Sequence, residues 1–151
     1  MYTSREAIEE QSLIPAKLPW DGTTAEERFS TWIDRASREI DSGVGPDFPV
    51  LPDGWKFSSH PDTPEAVALA AEWLVASRAL QALGIVARAN EGPPMWVTYR
   101  KMAQEQIKGI RKKEIDVFDS DGEELDADTP TPITVAARPP VVVGGWSTEY
   151  Y

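Results

Sequence analysis

Four stretches of this sequence carry residue types that could do chemistry. Ser58-Ser59-His60-Pro61-Asp62 brings a hydroxyl, an imidazole and a carboxylate close together in the chain, the ingredients of a nucleophilic triad. Triad members converge from separate elements and need an oxyanion hole, so neighbours just ahead of a helix start read as turn formers. Asp119-Ser120-Asp121-Gly122, followed by Glu123, Glu124, Asp126 and Asp128, resembles part of a calcium loop, since hard cations take several carboxylates at short spacing. It lacks a third early ligand before the glycine and a placed glutamate at the loop's end, and reads as a solvated acidic turn. Gly43-Val44-Gly45 lacks the third glycine of a dinucleotide fingerprint and follows a helical pattern instead of a strand. Arg100, Lys101, Lys108, Arg111, Lys112 and Lys113, with Trp96 and Tyr99 nearby, offer phosphate contact and base stacking. The two aromatics fall on the apolar face, however, and an acidic segment follows at once. Pairing of these cations with acidic residues, within the chain or between subunits, is therefore the stronger expectation.

Composition narrows the chemistry further. The chain of 151 residues has no cysteine and one histidine, His60, which excludes thiol nucleophiles, disulfides and most zinc sites. No phosphate-binding Gly-Lys-Ser/Thr sequence occurs, and no pair of carboxylates stands out among 25 acidic residues. Neither catalysis nor a cofactor or metal is expected. A net charge of −10 argues against affinity for bare nucleic acid. Nowhere do 18 apolar residues run together, so no membrane partner is expected, and the N-terminal MYTSREAIEEQS lacks the pattern of a classical export signal. At 16.7 kDa the chain is the size of one domain.

The elements that must position these residues read as helices. The spacing of Ala25, Phe29, Trp32, Ile33, Ala36 and Ile40 predicts a helix over 24–42, with Thr23 and Thr24 as caps and an end near Gly43. A second helix opens at Thr63-Pro64-Glu65, with Thr63 as N-cap, and carries Val67, Ala70, Ala71, Leu74, Val75, Ala76, Leu80 and Leu83 as a wide apolar face. It should stop between Gly84 and Asn90. A third runs from about Pro94 to Lys113 with Trp96, Tyr99, Ala103, Ile107 and Ile110 on one face, and a short one covers Ser4 to about Ser12. The proline-rich stretch from Gly43 towards Thr63 is long for a loop, so it is expected to be functional or packed by its own aromatics.

Charge divides the chain unevenly. Residues 1–113 hold 14 Lys/Arg and 16 Asp/Glu, whereas 114–151 hold nine acids and one base, Arg138. Residues 115–125 suggest a weak hairpin around Asp121-Gly122. Beyond it, Ile133, Val135, Val141, Val142, Val143, Trp146, Tyr150 and Tyr151 are more apolar and aromatic than a disordered tail allows. Pro130, Pro132, Pro139 and Pro140 favour an extended course. Such a segment suits strand addition to a partner, and twenty extended residues reach ~65 Å. The alternative is that it folds back on its own bundle.

Asp34-Arg35-Ala36-Ser37-Arg38-Glu39-Ile40-Asp41, then the Gly/Pro loop to Pro52, then Asp62-Thr63-Pro64-Glu65-Ala66-Val67 leading into Ala70-Ala71-Glu72-Trp73-Leu74-Val75-Ala76 resemble the head-to-tail connector (adaptor) proteins of long-tailed bacteriophages. The likeness covers roughly residues 24–90. It implies a homo-oligomeric ring, commonly of twelve copies, in the neck of a virion assembled in the host cytoplasm. Such a ring engages the portal protein on one side and a stopper or tail-completion protein on the other, and DNA passes through its lumen without specific binding. The expected fold is mainly α: a bundle of three to four helices over 1–113, and an acidic, Pro-rich and aromatic extension over 114–151 forming an arm with short β segments. A competing reading is a small acidic regulatory or inhibitory protein that binds a host factor through 114–128.

Overall fold

A computed structural model of the chain describes residues 1–84 and 92–125. Helix α1 spans Arg5–Glu10, α2 Gly22–Val44, α3 Glu65–Ala82 and α4 Met95–Arg111. The body is mainly helical, as the apolar periodicity requires. The breaker at Asn90-Glu91 and every residue of the expected arm beyond Leu125 lie outside the described residues.

α3 is the centre of the bundle. Val67, Ala70, Ala71, Leu74, Val75, Ala76, Ala79 and Leu80 are all buried, and the helix packs most extensively on α4, then on α2 and α1. Its small residues let neighbours approach on more than one side, which explains why the apolar positions run around the helix and not along one stripe. α2 follows the stripe pattern: Ala25, Phe29, Ile33, Ala36 and Ile40 are buried. Trp32 stands at the margin, edge-on to Phe29 at 5.3 Å and to Trp20 at 5.7 Å.

The helix starts differ from expectation in an instructive way. Asp21, not Thr23 or Thr24, caps α2, its carboxylate accepting from the Thr24 N–H at 2.7 Å. A charged oxygen is the stronger acceptor at a helix N-terminus. Thr63 does not cap α3. Pro64 takes the cap position, its carbonyl accepting from the N–H groups of Val67 and Ala68 at 3.0 and 2.9 Å. The Thr63 hydroxyl is left buried without a hydrogen-bond partner in the described structure.

The proline-rich loop is packed by aromatics. Phe48 and Phe57 are buried with ring centroids 5.1 Å apart. Between them and α2 lies Tyr2, fully buried and edge-on to both Phe57 and Trp55 at 5.7 Å. Its phenol oxygen accepts from the backbone N–H groups of Lys56 (3.0 Å) and Phe57 (3.2 Å) and donates to the Asp41 carboxylate. One side chain thus satisfies two loop donors and pins the loop to α2.

Two glycines permit close approaches that a Cβ would block. At Gly43 a Cβ would lie 2.5 Å from Cγ2 of Ile107, so α2 and α4 cross there nearly backbone to side chain. At Gly109 it would lie 2.5 Å from Cδ1 of Ile115. After α4 the chain turns back through Lys113 (φ 60), and Ile115 folds over Gly109. Val117 is buried, and Phe118 and Glu124 form a single antiparallel bridge around the Asp121-Gly122 turn. Residues 115–125 therefore pack on the bundle, with Leu125 donating to the Val117 carbonyl at 2.7 Å. No longer strand forms among the described residues.

Candidate functional site

The first three candidate stretches each take a structural part in the fold. His60 is exposed and its backbone N–H donates to the Met1 carbonyl at 2.9 Å, while the Asp62 N–H donates to the Ser59 carbonyl at 3.0 Å. Gly43 serves a helix crossing, and Gly45 (φ 85) follows the end of α2. The Asp119 carboxylate accepts from the N–H groups of Asp121 and Glu123, both at 2.9 Å, and so closes the turn from within. Among the described residues no three His, Asp or Glu side chains are placed to hold a metal ion.

The basic residues of α4 are where the surface is organised. Lys101, Lys108, Arg111 and Lys112 are exposed, and a helical turn of 100° per residue gathers them with Arg100 and Gln104 on one face. Glu105 is the only acid in α4. Lys108 and Arg111 border a groove of about 240 Å³ together with Glu39, Gly43, Gln104 and Ile107. Tyr99 is turned away from this face and packs against the core, as does Ile107, while Trp96 is half-buried near the start of α4.

No family model, curated protein or solved structure matches the chain. The function must be argued from the residues themselves.

At one end of the basic face, three helices meet in a charge cluster that sequence reading missed. Arg78 of α3 donates through Nη2 to Glu39 of α2 at 2.7 Å, and Arg100 of α4 lies 3.9 Å from the other oxygen of Glu39. Nη1 of Arg78 is buried without a hydrogen-bond partner among the described residues. The signal was present: between Ala66 and Ala82, only Glu72 and Arg78 are charged. A charge inside an apolar helix is retained only with a partner.

Glu72, the other such charge, is 6% exposed and accepts from Nε2 of Gln11 at 2.6 Å. Burial pushes its carboxyl above the usual glutamate range, and the Gln11 bond only partly opposes this. A raised folded-state pKa contributes stability that is fully present below the unfolded value of 4.5 and is lost as pH rises through the folded value. Glu72→Gln is expected to stabilise the protein by about 1 kcal/mol at pH 7, keeping an amide partner for Gln11 without a buried charge. Urea titrations of both proteins should converge as pH falls towards 4.5. A difference that grows on acidification would contradict this reading. Asp41, raised by burial, shifts stability in the same sense, and the exposed carboxylates of Glu6, in the first turn of α1, and of Asp21, the cap of α2, both lowered by hydrogen bonds, in the opposite one. Comparison of the two proteins isolates Glu72 from all three.

The expected arm residues Ile133, Val135, Val141, Val142, Val143, Trp146, Tyr150 and Tyr151 lie outside the described residues. No described helix is long and apolar enough to cross a membrane.

Proposed function

We propose that the chain is a non-enzymatic structural subunit, a head-to-tail connector that assembles into a ring in the neck of a tailed phage. Its ring, commonly of twelve copies in the family it resembles, would join the portal to the stopper or tail-completion protein and let DNA pass through the lumen. The observation that supports this most is the behaviour of the segments carrying the resemblance. Residues 34–41 form the last turns of α2 with Ala36 and Ile40 fully buried, and residues 65–76 open the central helix. Tyr2 and the loop aromatics fix the spacing between them. The segments that carry the resemblance thus pack as one continuous part of the helical body. The basic face of α4 is read as a surface for protein contacts, because Tyr99 packs against the core and an acidic segment follows directly in the chain.

Electron microscopy of the purified protein, alone and with isolated portals, tests the proposal by showing rings or their absence. Removing residues 130–151 is expected to leave a folded helical body, by circular dichroism, that no longer joins portal complexes. Normal assembly of the shortened chain would dismiss the arm from this role. A full chain that stays monomeric at high concentration and ignores portals would instead favour an acidic regulator acting through residues 114–128.

A further inference from the structure

A cleft of about 650 Å³ lies between the start of α3 and the turn that follows α4. Its walls carry four carboxylates, Asp62, Glu65, Asp116 and Asp119, and no cation. Pro64, Leu69 and Phe118 supply an apolar floor, and Phe118 keeps 49% of its surface in water. A half-exposed phenylalanine beside four carboxylates suits a partner that brings both cations and alkyl stems.

The chain itself carries such a surface, on the opposite side. Gln106 of α4 faces the acidic cleft. At 100° per residue, Lys108 points about 160° away from Gln106 around the helix axis, and Arg111 about 140° away. The basic face and the acidic cleft therefore cannot meet within one molecule, and a single neighbour cannot fill both. Each copy needs two neighbours, one giving and one receiving, which is a heterologous contact that propagates into a ring or a filament.

We infer that the cationic face of α4, carrying Lys101, Lys108 and Arg111, docks into the acidic cleft bordered by Asp62, Glu65, Asp116 and Phe118 of the next copy. The contact presupposes the self-association proposed above and specifies the surfaces that make it. The lysine and arginine stems cover Phe118 while their heads reach the carboxylates. Opposite potentials set the direction of docking and discourage basic-to-basic or acid-to-acid pairing.

Two charge-reversed full-length chains test this. One carries Lys101→Glu, Lys108→Glu and Arg111→Glu. The other carries Asp62→Lys, Glu65→Lys and Asp116→Lys, sparing Asp119 because it closes its own turn. Both should keep the native circular dichroism spectrum, since all six positions are exposed. Sedimentation velocity at low salt is expected to show self-association weakened at least about tenfold in each variant alone. An equimolar mixture should recover it, because the acidic face of one variant then meets the basic cleft of the other. Raising the salt should weaken native assembly through screening. Folded variants that associate like the native chain, or a mixture that does not recover, would overturn the docking mode while leaving the ring intact. A native chain that never self-associates would overturn both.

Discussion

Tyr2→Phe should lower stability by about 2 kcal/mol and Tyr2→Ala by about 5 kcal/mol, read from urea denaturation at neutral pH. The phenylalanine variant keeps the ring between Trp55 and Phe57 but removes the oxygen that accepts from the Lys56 and Phe57 N–H groups. The Phe57 N–H then loses its partner, while the Lys56 N–H and the half-buried Asp41 carboxyl are left with only each other. Orphaning a buried donor costs more than a formed hydrogen bond yields. Burial and the Asp41 hydrogen bond together hold the Tyr2 hydroxyl well above the usual tyrosine range, so it stays protonated and keeps donating. The alanine variant adds the loss of a fully buried ring and its edge contacts. If Tyr2→Phe were as stable as the native protein within about 0.5 kcal/mol, the hydroxyl would not be what ties the loop to α2.

Glu39→Ala should destabilise by about 2 kcal/mol, less than the 3–5 kcal/mol typical of breaking a deeply buried pair, because solvent reaches part of this one. Glu39 is 30% and Arg78 19% exposed at the side chain. The cost comes chiefly from Arg78, left with a charge among the apolar residues of α3 and one terminal nitrogen already unpaired. Glu39→Gln, which keeps an acceptor, should lose less. The sharper test is the double variant Glu39→Ala with Arg78→Leu, which removes the stranded charge and should recover most of the loss. A double variant no more stable than Glu39→Ala would mean that the guanidinium is not the source of the penalty. In thermal melts the single variant should fall by about 2–4 °C per kcal/mol for a chain of this length.

The helices were legible in the sequence because their apolar spacing is redundant. Phe29, Ile33, Ala36 and Ile40 repeat the same message, and Trp32 packs at the margin of the same stripe. The caps were less legible, since each depends on one residue and on its neighbour's backbone. At α3, Pro64 in an extended conformation shifted the start by one position and stranded Thr63. Tyr2 escaped notice because its partners, Asp41, Lys56 and Phe57, are 39 to 55 residues away. The acidic cleft was hidden for the same reason: Asp62 and Glu65 meet Asp116 and Asp119 only after the chain reverses over Gly109. The cations of α4 were readable as a cluster, but not as a face, until α2 and α3 fixed which side of the helix is covered.

The Tyr2 pin also bears on the order in which the molecule assembles itself. Its bond to the Phe57 N–H closes 55 residues of chain, an entropic charge of about 3–4 kcal/mol that local helix formation does not offset. α2 lies wholly inside that span and can form early from neighbouring contacts alone. The loop aromatics can dock only once Tyr2 has been delivered to the finished helix. The pinned loop is thus expected to close last and open first, which would show as faster native-state hydrogen exchange at the Lys56 and Phe57 amides than within α3.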